Sequence, residues 1–161
     1  MNKHAKMNAT QILSLHLRLL DRISEIEFLN NGGCGFFVYY LQKILQSKGY
    51  RSDIICLYDK DDIVITKGKH LDNIENIRRR KRKDIFAYSH FCLKIGRYHF
   101  DSSGMELSHI NPVFNMYKVI GSISLNDLKY ILKLREKWVS IYDRGQNKRM
   151  KRIIVDAAAI L

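Results

Sequence analysis

The sequence predicts an α+β fold, with N-terminal helices packed on a mostly antiparallel sheet. Three observations carry that expectation. Apolar residues recur every three or four positions near the N-terminus, several short segments between residues 52 and 102 are rich in Ile, Val and aromatics, and a capping signal at Ser124 opens a further helix. At 161 residues a single domain spanning 1–161 is expected. Such a chain buries roughly 70% of its unfolded surface and so has a real core.

The first helix follows the N-cap candidates Asn8 and Thr10, with Ile12, Leu15, Leu19, Ile23 and Ile26 on one face, and is expected to end near Leu29. Asn30, Asn31, Gly32 and Gly33 then break the chain. A second helix begins at about Cys34, buries Phe37, Leu41, Ile44 and Leu45, and stops at Gly49. Strands are expected over 52–58 and 63–66, paired as a hairpin across the polar cluster 59–62, and again over 85–95 and 98–102 across a tight turn at Gly96 and Arg97. Ser124 with Asp127 resembles a capping box for a helix running towards Tyr142 and closed by Gly145, part of a C-terminal helical extension. The apolar end from Ile153 to Leu161 has no clear pattern.

Composition narrows the function. The net charge of +12 implies attraction to anionic surfaces. The apolar residues from Ile12 to Leu20 are interrupted by Ser14, His16 and Arg18 and precede no cleavage site, so neither a secretion signal nor a membrane span is read. Three cysteines without a CxxC pair indicate neither a disulfide framework nor a standard zinc site, and reduced thiols in a cytoplasm are expected. Abundant Ile, Asn and Lys point to an AT-rich coding source, such as a low-GC bacterium or a phage acting in its host's cytoplasm.

Two segments bring chemistry. In Asn30 to Tyr40, a cysteine stands between glycines at the first turn of a helix, where unpaired N–H groups and the helix dipole favour a thiolate and small neighbours admit a substrate backbone. The plain alternative is that Cys34 is a small buried hydrophobe. The second segment, Ser89 to Gly104, decides between them through its register. A two-residue turn at Gly96 and Arg97 sets Ile95 opposite Tyr98 and Cys92 opposite Asp101, so that His90 and Asp101 become diagonal neighbours on one face. A slip by one residue would send Asp101 to the other face. In the first register Cys34 is a nucleophile, His90 its base and Asp101 the orienter.

Gly32-Gly33-Cys34, His90-Phe91-Cys92-Leu93 and Tyr98-His99-Phe100-Asp101 resemble, in order and placement, the motifs of the transglutaminase-like branch of the papain-like thiol superfamily, over about residues 30–104. Gly35 stands where that branch commonly has an aromatic, and Tyr98 where Trp is frequent. The resemblance implies a Cys34, His90, Asp101 triad acting on a peptide, amide or other acyl substrate through a thioester, as peptidase, amidase, deamidase or transglutaminase, with no metal or organic cofactor. The oxyanion would be met by the Cys34 N–H and a second donor, Asn30 or Asn31.

Competing readings exist. His99 could replace His90 as base, and Cys92 could join Cys34, His90 and Asp101 around zinc, although no close-spaced ligand pair supports this. Cys56 reads as core, and His4, His16, His70 and His109 as ordinary surface or interface residues. The run Arg78, Arg79, Arg80, Lys81, Arg82 and Lys83, with a second basic stretch from Arg144 to Arg152, supports the alternative of a basic nucleic-acid-binding or structural protein whose papain-like site is inactive.

Overall fold

The structure, a computed structural model, describes residues 5–27, 29, 33–59, 90–102, 104–107, 117–135 and 145–161. It is α+β, with helices on an antiparallel sheet. Helix α1 spans Ala9–Ile23 and opens on a reciprocal cap: the Gln11 N–H donates to Asn8 Oδ1 at 2.9 Å and the Asn8 N–H to Gln11 Oε1 at 3.0 Å. Asn8, not Thr10, is therefore the cap. The helix ends at Ile23 and not near Leu29, because the Glu25 and Ile26 N–H groups fold back to Arg22 and Ile23 carbonyls. Side chains further along the chain then hold the turn: Gln146 Oε1 accepts from the Glu27 N–H at 2.9 Å, and Arg149 pairs with Glu25.

Helix α2 spans Cys34–Ser47, as its apolar spacing predicts, and stops before Gly49, whose φ of 79° suits only glycine well. Buried Gln42 and Ser52 fasten α2 to the strand that follows. The Ser52 hydroxyl donates to Gln42 Oε1 at 2.7 Å, and Gln42 Nε2 donates to the Ser52 carbonyl at 3.0 Å. The strands are β1 (Asp53–Asp59), β2 (His90–Ile95), β3 (Tyr98–Asp101), β4 (Gly104–Leu107) and β5 (Tyr117–Ile123), in the order β4-β3-β2-β1-β5. Strand β1 pairs with β2 on one edge and with β5 on the other, and the second strand of the hairpin expected between 52–58 and 63–66 is not among the described residues. Residues 63–66 and 85–89 lie outside the described residues. Sequence reading also missed β4 and β5.

Helix α3 spans Leu125–Arg135 and carries the predicted capping box, with the Asp127 N–H donating to Ser124 Oγ at 3.1 Å and the Ser124 hydroxyl to Asp127 Oδ2 at 2.6 Å. Its expected continuation to Tyr142 falls outside the described residues. Gly145, expected to close that helix, instead caps the start of α4 (Gln146–Ala157), which is followed by a short 3-10 turn over Ala158–Ile160. Among the described residues, no helix is long and apolar enough to cross a membrane.

Strand parity explains the layers. Phe91, Leu93 and Ile95 on β2, with Ile54, Cys56 and Phe100, face α2 and join Phe37, Leu41, Leu45 and Leu15 in the main core. Phe37 is among the largest fully buried side chains, so truncating it to Ala would cost about 3–5 kcal/mol. The alternate residues of the same strands form a second, smaller cluster, Leu57 and Cys92 with Ile55 and Tyr117 packed against it. Along β2, His90 shares its parity with Cys92.

Candidate active site

The hairpin turn decides the site. Gly96 has φ 61°, the left-handed conformation that a primed two-residue turn demands, and Ile95 lies opposite Tyr98, Lys94 opposite His99 and Leu93 opposite Phe100. This is the register that aligns Asp101 with His90. The His90 Nε2–H donates to Asp101 Oδ2 at 3.1 Å, and both residues are buried, at 8% exposure.

Helix α2 brings the third group. Gly33 is its N-cap and no side chain caps it, so the first-turn N–H groups and the positive end of the dipole converge where Cys34 sits. Cys34 is buried, at 2% exposure, and shares a side-chain hydrogen bond with His90. With Nε2 engaged by Asp101, Nδ1 is the ring nitrogen left for the sulfur. One imidazole thus links carboxylate to thiol.

Gly35 makes this approach possible. A Cβ there would lie 2.8 Å from Leu132 Cδ2 and 3.3 Å from Phe91 Cδ2. A larger side chain is excluded there because α3 and β2 close on the helix at that point.

The electrostatics follow from the contacts. Burial by itself would lower the His90 pKa, but hydrogen bonds to Asp101 and Cys34, with the charges of both, outweigh it and raise the pKa to about 10. The ring is therefore an imidazolium at neutral pH, and Tyr117 stacks on it with centroids 5.5 Å apart and planes 20° apart. Cys92 lies beside the site, but burial first, then the charges of Asp101, Cys56 and Cys34, push its thiol up and keep it protonated. Cys56 is core, as expected. Burial, with the nearby charge of Lys94, lowers the pKa of His99 despite Asp101. His90, not His99, is thus the histidine that Asp101 and Cys34 hold protonated.

Cys34, His90 and Asp101 are brought together from residues far apart in sequence. Asn30, Asn31 and Arg78 to Lys83 lie outside the described residues. Among the described residues, no three His, Cys, Asp or Glu side chains converge as a metal ion would require. His16, expected to be an ordinary surface or interface residue, is half-buried with its ring edge-on to Phe100 at 6.3 Å. Tyr117 was missed by sequence reasoning, although its alternation with Val119 in a β-rich stretch was a usable signal. No protein-family model matches the chain, and no curated protein or solved structure does either.

Proposed function

We propose that this chain is a thiol-dependent acyl-transfer enzyme, of peptidase, amidase, deamidase or transglutaminase type, built in the manner of the transglutaminase-like branch of the papain-like superfamily. The observation that carries the reading is the single imidazole of His90, bonded to Asp101 at 3.1 Å and also to Cys34. Cys34 sulfur attacks the acyl carbon, and the carbonyl electron pair moves onto oxygen, near the first-turn N–H groups of α2. As the tetrahedral species collapses, the bond to the leaving group breaks and the leaving group takes the proton of the His90 imidazolium, leaving a thioester. Neutral His90 then takes a proton from water or an amine, which attacks the thioester and releases Cys34 as thiolate. Asp101 fixes the ring orientation throughout.

The test is mass-spectrometric mapping of cysteine labelling by limiting iodoacetamide near neutral pH. Cys34, Cys56 and Cys92 are buried alike, so accessibility does not favour one over another. Cys34 is expected to label first, and His90→Ala to slow it. Equal rates for all three, unchanged by that substitution, would sink the reading. The second reading, a basic nucleic-acid-binding protein with an idle site, draws on α4, where Lys148, Lys151 and Arg152 are exposed.

A further inference from the structure

A pocket of about 260 Å³ opens at the turn end of the β2–β3 hairpin, away from Cys34. Lys6 and Met7 line it from the N-terminal segment, Arg51 and Asp53 from the start of β1, and Lys94, Ile95 and Gly96 from the end of β2. The walls are fixed by backbone bonding. The Ala5 N–H donates to the Gly49 carbonyl at 2.8 Å, the Arg51 N–H to the Ala5 carbonyl at 3.1 Å, and Asp53 lies opposite Lys94 in the sheet. Three cations from three separate stretches of chain therefore surround one concavity. Among the residues whose side chains are described, none of them is within ion-pair distance of a carboxylate, Asp53 included. Like charges gathered without neutralisation are unfavourable unless something anionic joins them.

We infer that this pocket binds a phosphate monoester carried on a small hydroxylated stem. With Asp53 counted, the pocket has two net positive charges, which a phosphate dianion neutralises and a single carboxylate does not. Arg51 supplies a planar fork of donors for two phosphate oxygens, and Lys6 and Lys94 act as point charges. Asp53, an acceptor only, suits a hydroxyl on the stem and opposes a second phosphate. That asymmetry disfavours a nucleic-acid strand, whose successive phosphates would have to pass the carboxylate. The volume falls just below the roughly 300–1,000 Å³ of sites that enclose a whole drug-sized ligand, which suits a compact headgroup. Buried Met7 and Ile95 provide an apolar wall for the carbons of the stem.

Binding at Lys94 has a built-in reporter. His99 lies opposite Lys94 in the sheet, and the charge of that lysine contributes to lowering its pKa. An anion that neutralises Lys94 raises it.

The experiment is calorimetric titration of the full chain with inorganic phosphate, ribose 5-phosphate and an oligothymidylate with unphosphorylated ends, alongside an NMR titration of His99. The expected result is one-to-one binding of both monoesters, with ribose 5-phosphate the tighter, and an upward shift of the His99 pKa when either is bound. Arg51→Gln and Lys94→Met should each weaken monoester binding about tenfold, as loss of a charge-assisted contact does. Asp53→Asn should narrow the gap between ribose 5-phosphate and inorganic phosphate. No saturable binding of the monoesters, binding indifferent to the Arg51 and Lys94 variants, or tighter binding of the unphosphorylated oligonucleotide at these residues would overturn the assignment. The inference is independent of the thiol reading, since Cys34→Ala should leave the titrations unchanged.

Discussion

His90 and His99 sit on adjacent strands of one hairpin and are buried to similar extents, at 8% and 5% exposure, yet their imidazoles are pushed in opposite directions. His90 rises to about 10, whereas His99 falls below its ordinary value. Burial acts downward on both, so it cannot by itself explain the difference between them. What differs is whether anything opposes burial enough to overturn it: Asp101 and the sulfur of Cys34 do so at His90, whereas at His99 burial is the largest cause and the ammonium of Lys94 adds to it. A buried histidine in this fold becomes an acid or stays neutral according to its neighbours, and the two-residue turn at Gly96 chooses those neighbours.

The largest expected effect comes from removing the sulfur. Cys34→Ala should reduce acyl turnover by about 10⁴-fold or more, as loss of a nucleophile does, and should lower the His90 pKa while His99 stays where it is. Turnover on activated acyl substrates and histidine NMR read the two effects separately. Turnover that persists in this variant would assign the activity to another group.

Next in size is the proton itself. His90→Gln should cost roughly 10²–10⁴-fold in turnover, and it also changes how stability depends on pH. In the unfolded chain His90 releases its proton near 6.5, and in the folded chain near 10. Its stabilising contribution is therefore complete below 6.5 and is lost as pH rises through about 10. Denaturant unfolding between pH 6 and 11 should show wild type losing stability relative to His90→Gln over that window. Parallel curves would mean that the contacts do not raise the pKa.

Much of this contrast was legible in the sequence, for identifiable reasons. Gly96 and Arg97 fix the hairpin register, parity then puts His90 and Asp101 on one face, and the glycines beside Cys34 mark a helix start; each of these signals is local. What escaped depends on distant partners. The early end of α1 is set by Gln146 and Arg149, more than a hundred residues away. The pairing of β1 with β2 and β5 was not read, because both strands lie far along the chain and the apolar segment 63–66 is nearer. Gly145 was read as a stop because glycine punctuates both helix ends. In β5 a bulge, where Cys56 faces Gly121 but Leu57 faces Val119 and Ile120 is extra, keeps the alternation that begins at Tyr117 from running the length of the strand.

A smaller effect tests how closely α2 must approach. Gly35→Ala places a methyl group 2.8 Å from Leu132 Cδ2 and 3.3 Å from Phe91 Cδ2. Because Phe91 is fully buried, its ring has little room to move, and overpacking should cost about 1–3 kcal/mol in chemical denaturation. The strain pushes the helix start away from β2, so the His90 pKa should drop and iodoacetamide labelling of Cys34 should slow. His99, at the other end of the hairpin, should not respond.

The smallest effect separates charge from burial at His99. Burial is the larger cause of its lowered pKa and Lys94 the second, while Asp101 acts in the opposite sense. Lys94→Met keeps the length of the side chain but removes the ammonium. Lys94 is exposed and directly opposite His99, so the change should leave global stability within about 0.5 kcal/mol. The His99 pKa should then rise while remaining below 6.5, because burial persists and Asp101 is already committed to His90. His90 should be unaffected, being four residues along β2 from the substitution, about 13 Å at ~3.3 Å per residue, with Asp101 and Cys34 still in place. NMR titration of both rings in the variant measures this directly. A His99 pKa that does not move would assign the whole depression to burial. A His90 pKa that falls alongside would mean that the two ends of the hairpin titrate as one coupled network, and the contrast between them would have to be redrawn in those terms.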